Sequence, residues 1–155
     1  MRKFLDLKIN KKPIKLRLAN HKDLKFILDL HNKNVVEKKF FSKNKILLKD
    51  HKEWFKNKIK TKMLFICVSK YKVGYIRYDH LKKNNLSISI AIKEKYKRKG
   101  FGKIMISRII KKKNIKRCNI FAMVKKNNLS SQKFFLNAGF VATKKNIYIK
   151  KAINA

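Results

Sequence analysis

The chain has 155 residues, a formal net charge of +36, 45% hydrophobic and 11% aromatic residues. That length suits one domain, 1–155, with a proper core, and this apolar content excludes a disordered chain. The charge points first to nucleic acid or an anionic surface. However, only six of the 44 basic residues are arginine (Arg2, Arg17, Arg77, Arg98, Arg108 and Arg117), whereas nucleic-acid sites favour the arginine fork. The lysines occupy every segment, so the charge reads as compositional bias that still draws in acidic ligands.

Residues 1 to 12 form a lead-in, strand-like at Phe4–Ile9 and broken by Pro13. Ile14, Leu16 and Leu18 alternate with Lys15 and Arg17 as a half-buried first strand. Asn20 is placed to cap a helix with Leu24, Ile27, Leu28 and His31 on its apolar side. Residues 32–47 have poor periodicity and read as a short helix and a loop. Asp50 then caps a helix over His51–Lys60, with Trp54, Phe55 and Ile59 inward. Met63–Val68 and Val73–Asp79 are strands, with a turn near Lys70 to Lys72. Met63–Val68 is also the longest apolar run, far too short to cross a bilayer.

Asn84 and Asn85 turn the chain into the strand that organises the rest. From Leu86 to Ile92, apolar Leu86, Ile88, Ile90 and Ile92 alternate with small Ser87, Ser89 and Ala91. A basic loop, Lys97-Arg98-Lys99-Gly100-Phe101-Gly102-Lys103, leads into a helix whose apolar side is Ile104, Met105, Ile106, Ile109 and Ile110. Two glycines two apart allow a tight turn and close approach to a ligand. The first amides of the following helix lack intrahelical partners and suit an anion, as does the helix dipole. Lys97, Arg98, Lys99 and Lys103 surround the same point, so a pyrophosphate fits; an ordinary turn is the plainer reading. The pattern is neither a P-loop nor a dinucleotide fingerprint. Arg117–Val124 is the next strand. Asn128 caps the helix Leu129–Asn137, Gly139 ends it, and Phe140–Ile149 makes one or two last strands.

Cys67 and Cys118 lie far apart in apolar strand patterns and read as free thiols of a reducing compartment. No zinc-type spacing occurs, so no metal is expected. No apolar core follows Met1-Arg2-Lys3, so a cytoplasmic chain without membrane insertion is expected.

Ile90-Ala91-Ile92 followed by Tyr96-Lys97-Arg98-Lys99-Gly100-Phe101-Gly102 resembles the acetyl-CoA-binding signature of the GNAT superfamily of N-acetyltransferases. That signature is Arg or Gln, two residues, Gly, one residue, then Gly or Ala; Lys97 stands at the Arg/Gln position. The second half of the family pattern is similar to Val124-Lys125-Lys126-Asn127-Asn128-Leu129-Ser130-Ser131 with Phe134-Phe135-Leu136-Asn137-Ala138-Gly139-Phe140. The resemblance covers roughly residues 14–150. It implies an α/β acyl-CoA N-acyltransferase fold, in which helices flank a mixed sheet that splays after the central strand. Acetyl-CoA would lie in that gap, its pantetheine amides on the backbone of Ile90 and Ile92. Its pyrophosphate would sit at residues 97–103, and Asn128 would hydrogen-bond it unless it is a plain helix cap.

Acetyl transfer to an amine needs a neutral amine, an oxyanion donor and a tolerable thiolate leaving group. Relatives carry a Glu at about the position of Ser87, and a Tyr acid at that of Phe135, so neither help is present here. The backbone N–H near Ala91 or Ile92 is the candidate oxyanion donor. Asp79 and His80, closing the strand beside the central one, are the candidates to relay the proton; a solvated strand end is their plainer reading.

The segments Leu30-His31-Asn32 and His51-Lys52-Glu53-Trp54-Phe55 resemble amino-sugar N-acetyltransferases of the pseudaminic acid pathway. That places Asn32, His51, Trp54 and Ser87 near the acceptor, against the plainer reading of core packing for Trp54 and helix surface for His51. The expected partner is a small-molecule amine, a nucleotide-linked amino sugar first. A ribosomal-protein N-terminus stands behind it, and a polyamine is disfavoured because cation meets cation. A non-enzymatic, basic nucleic-acid-binding module remains the alternative class, and non-specific nucleic-acid binding is open to so basic a chain. Monomer and homodimer stay equally open.

Overall fold

The computed structural model describes residues 8–9 and 12–153. Phe4–Leu7 of the expected lead-in strand lie outside the described residues. Two short strands, β1 (Lys8–Ile9) and β2 (Lys12–Pro13), pair with each other. The main sheet has seven strands: β3 (Lys15–Leu18), β4 (Leu64–Val68), β5 (Lys72–His80), β6 (Asn85–Ile92), β7 (Asn119–Met123), β8 (Val141–Ala142) and β9 (Ile147–Lys150). Their order is β3-β4-β5-β6-β7-β9-β8, and every pairing is antiparallel except β6 with β7. This is the mixed α/β architecture of the acyl-CoA N-acyltransferases.

Four helices cover the sheet: α1 (Leu24–Val36), α2 (Leu48–Lys60), α3 (Phe101–Ile110) and α4 (Leu129–Asn137). Strand alternation sends Tyr75 and Ala91 to one face, where Ile27, Leu30 and Phe55 of α1 and α2 pack on them. Ile76, Tyr78, Leu86 and Ile88 take the other face, with Met105, Ile106 and Ile109 of α3 and Phe135 of α4. β4 is covered on both faces, so Leu64 to Cys67 are all buried, as its unbroken apolar run requires.

Three local expectations are corrected. Residues 32–36 hold no separate helix, because α1 runs on to Val36. Its periodicity is masked by Asn34, which is buried and donates to the Leu30 carbonyl at 2.8 Å, back along the same helix. α2 starts at Leu48, so Asp50 lies in its first turn and does not cap it. Asn20 caps a 3-10 turn, His21–Asp23, ahead of α1, with Asp23 reaching back as the second half of a capping box.

The parallel pairing of β6 with β7 is short. It joins Asn85, Leu86 and Ser87 to Asn119, Ile120 and Phe121. β6 continues to Ile92 with β5 on one side and no strand on the other. The sheet therefore opens at Ile88.

Candidate functional site

The open edge of β6 is the first component. Asn119 N–H donates to the Asn84 carbonyl on the β7 side, while Lys93 N–H donates to the Val73 carbonyl on the β5 side. Alternation then turns the N–H and C=O of Ile88, Ile90 and Ile92 into the gap. The Ala91 amide belongs to the β5 ladder, so Ala91 is corrected as an oxyanion donor and Ile92 keeps that geometry.

The basic loop is the second component. A 3-10 turn, Glu94–Tyr96, is followed by left-handed backbone at Arg98 (φ 57°) and Gly100 (φ 84°), and α3 starts at Phe101. No side chain caps α3, and its first main-chain bond runs from Ile104 N–H to the Gly100 carbonyl at 3.2 Å. The amides of Phe101, Gly102 and Lys103 thus head the helix without intrahelical partners. Gly102 answers a packing demand: a Cβ there would come within 2.8 Å of the Phe134 ring and 3.1 Å of Ile92 Cδ1. Phe101 is buried in the core, while Arg98, Lys99 and Lys103 are exposed. Lys97 Nζ donates to Glu94 at 2.7 Å. Burial lowers the Lys97 pKa, Glu94 opposes this, and Lys39 on the far side of Glu94 adds to it.

The third component is a cavity of about 260 Å³ at the splay. β6 supplies Ser87 through Ile90, β5 Arg77, and β7 Met123, with Val124 just beyond it. Asn128, Ser131 and Phe135 come from α4 and its cap, His31 from α1, and Lys39 to Ser42 from the α1–α2 loop. Among the described residues no carboxylate lines it.

His31 presents an imidazole whose Nε2 is buried and without a hydrogen-bond partner among the described residues. Its ring lies 5.0 Å from that of Phe40. Burial, assisted by the charges of Arg77 and His51, lowers its pKa below the ordinary histidine value. The Arg77 guanidinium lies 5.3 Å from the Trp54 ring centroid. Asn128 Oδ1 accepts from Ser131 N–H at 3.2 Å, so its oxygen caps α4. Phe135 is buried against Phe134, Phe140 and Tyr148 and brings no hydroxyl.

The structure thus brings together Ile90, Ser87, Asn128 and Phe135, with Ile92 continuing the same edge. It does not bring the other expected residues to the cavity. Asp79 is hydrogen-bonded by Lys58 of α2, which also donates to the Tyr78 carbonyl at 3.3 Å. His80 is exposed beyond it, edge-on to Tyr78. Asn32 has both amide atoms engaged with the main chain of Ile46, at 2.8 and 3.0 Å, and so ties down the α1–α2 loop. His51 is neither on a helix surface nor in the cavity. It is 2% exposed, and its Nε2 pairs with the Leu24 carbonyl at 3.0 Å, joining α2 to α1. Trp54 stands behind Arg77. The sequence assigned no site role to Lys39 or Arg77, and it touched His31 and Ser89 only through the Leu30-His31-Asn32 segment and the small face of the central strand. The only signal available for Arg77 was its place on an expected strand.

The open edge of β6, the uncapped start of α3 and the cavity at the splay are the parts that the resemblance to acetyl-CoA enzymes implies. The profile of the Acetyltransferase (GNAT) family matches residues 26–140, and the chain belongs to that family. It is therefore an N-acetyltransferase, of a family whose acetyl donor is acetyl-CoA. Among solved structures, it is similar to a domain from Methanocaldococcus jannaschii (24% identity, 90% of this chain and 97% of that one, TM-score 0.76). It is also similar to an N-acetyltransferase from Staphylococcus aureus Mu50 (16%, 89% and 98%, 0.76). A third is the phosphinothricin acetyltransferase from Sinorhizobium meliloti solved with acetyl-CoA (14%, 88% and 85%, 0.71). These likenesses concern the fold. No curated protein matches the sequence. Among the described residues no group of His, Cys, Asp and Glu could hold a metal, and no helix is long and apolar enough to cross a membrane.

Proposed function

We propose that the chain transfers the acetyl group of acetyl-CoA to the primary amine of a nucleotide-linked amino sugar. The cofactor's amides would lie along Ile90 and Ile92 and its pyrophosphate on the amides of residues 101–103, ringed by Lys97, Arg98, Lys99 and Lys103. Asn128 and Phe135 would flank the acetyl end. The observation that carries this reading is the cavity itself: it opens at the splay, its floor offers the Ser87 and Ser89 hydroxyls to sugar oxygens, and no carboxylate of the described residues lines it to hold a polycation.

In the reaction the amine nitrogen forms a bond to the thioester carbon. The carbon–sulfur bond then breaks, CoA leaves as thiolate, and the nitrogen gives up one proton. His31 replaces Asp79 and His80 as the acceptor of that proton. It lines the cavity with a ring nitrogen that has no hydrogen-bond partner among the described residues, and burial holds its pKa below the ordinary histidine value. The thiolate takes a proton from solvent, since Phe135 has none to give. Of the gap-facing amides, that of Ile88 belongs to a residue lining the cavity, where an oxyanion would develop.

The test has two arms. Acetyl-CoA should raise the melting temperature of the protein, and Gly100→Glu, which puts an acid against the pyrophosphate, should abolish that rise. Mass spectrometry should then find the acetylated product with UDP-linked amino sugars and not with spermidine or with peptides bearing free N-termini. Products from the peptides alone would overturn the acceptor; an unaltered acetyl-CoA response in Gly100→Glu would overturn the cofactor placement.

A further inference from the structure

We infer that Arg77 is the specificity residue for the acceptor and that it holds an oxyanion group, carboxylate or phosphate, on the amine-bearing substrate. The inference rests on the acetyltransferase reading above and deepens it. Arg77 lies mid-strand on β5, opposite Ser89 of β6. Opposed residues of an antiparallel pair share a face, so Arg77 and Ser89 look toward α1 and α2 and line the cavity together. The Trp54 ring lies 5.3 Å from the guanidinium carbon, within cation–π range, and walls one side of it.

Among the described residues Arg77 has one ion pair, and it is a long one. The nearest carboxylate is Asp79, whose Oδ2 is 4.0 Å from Arg77 Nε, beyond a hydrogen bond. Asp79 is itself held by Lys58. Among the described residues the guanidinium makes no hydrogen bond, although its side chain is only 31% exposed. Two other arginines are engaged by hydrogen bonds: Arg17 forks onto Asp23, and Arg108 donates to the Ile14 carbonyl. A planar fork beside an aromatic ring, lining a cavity that no carboxylate of the described residues lines, suits two coplanar oxygens. Lys39 lines the same cavity and adds positive charge, although Glu37 and Glu94 take part of it. Ser87 and Ser89 bring further hydroxyls. Trp54 thereby bears on acceptor choice without touching the acceptor.

The experiment uses the whole chain saturated with CoA, so that the pyrophosphate loop is filled and no transfer can occur. It is run at about 0.15 M salt to screen the general charge. Ethanolamine, phosphoethanolamine and γ-aminobutyrate are titrated and followed by the NMR signal of the Arg77 Nε–H and by calorimetry. At least one of the anionic amines should bind about tenfold or more tightly than ethanolamine. Phosphoethanolamine leading names a phosphate; γ-aminobutyrate leading names a carboxylate. Arg77→Gln should remove the advantage, and Arg77→Lys should restore only part of it, with CoA affinity unchanged in both. Wild-type protein that binds all three amines equally, or an advantage that persists in Arg77→Gln, overturns the inference. The wild-type comparison stands even where a variant fails to fold. Failure to bind CoA at all would instead defeat the acetyltransferase reading.

Discussion

Asp23 offers a test of how the acceptor side of the cleft is held. Its carboxylate is fully buried. It accepts from Arg17 at 2.7 and 3.0 Å, from the Asn20 main-chain N–H at 2.9 Å, and pairs with Lys72 at 2.7 Å. One side chain therefore joins β3, the entry to α1 and the start of β5, and α1 carries His31 about two turns on. Burial alone would raise the pKa of Asp23. The Arg17, Lys72 and Asn20 bonds outweigh it and bring it from 3.8 down to about 2. At roughly 1.4 kcal/mol per pH unit, that difference stabilises the fold by about 2 kcal/mol at neutral pH. Because the folded value is the lower one, the stabilisation is complete well above the unfolded value and fades as pH falls through the folded value. About half of it is gone at pH 3. Asp23→Asn lacks the charge at every pH, and the half-exposed Arg17 and Lys72 can rehydrate. Urea unfolding of both proteins should show a gap of about 2 kcal/mol at pH 7 that narrows by roughly half at pH 3. Urea is required, since guanidinium would screen the pairs. A gap that is absent at pH 7, or that keeps its full size at pH 3, would refute the reasoning.

Two further outcomes are expected. His31→Gln should lower kcat/KM by about 10²–10⁴-fold and erase the histidine limb of the pH profile, which in the wild type lies below about pH 6.5 because burial lowers this imidazole. A variant with an unchanged acid limb would remove His31 from the proton path. Gly102→Leu drives a side chain into the Phe134 ring and Ile92. It should cost about 1–3 kcal/mol in thermal unfolding and weaken acetyl-CoA binding by shifting the first turn of α3. Calorimetric affinity equal to the wild type would show that this turn is not needed in place.

The cofactor half of the cleft was legible in the sequence because each of its parts is local. Alternation over residues 86–92 shows a strand with one apolar face, and its period of two also decides which amides face the gap. Gly100 before an apolar helical period marks the loop and the helix start, and Asn128 before Leu129 marks the cap of α4. Such features depend on neighbours two to four residues away, which the chain order displays directly.

The acceptor half was settled only by tertiary packing. His31 and Arg77 are 46 positions apart, and nothing around Arg77 marks it; they meet because α1 lies over β5 and β6 beside the splay. The same packing disposed of the sequence's own candidates. Lys58 of α2 reaches Asp79, Asn32 clamps the loop at Ile46, and His51 turns inward to the Leu24 carbonyl. Chain order therefore determined the family and the strand, basic loop and helix start at the open edge. Which polar groups remain unpartnered, and so are available for chemistry, depends on which long-range neighbours have already satisfied the rest, and only the folded chain decides that.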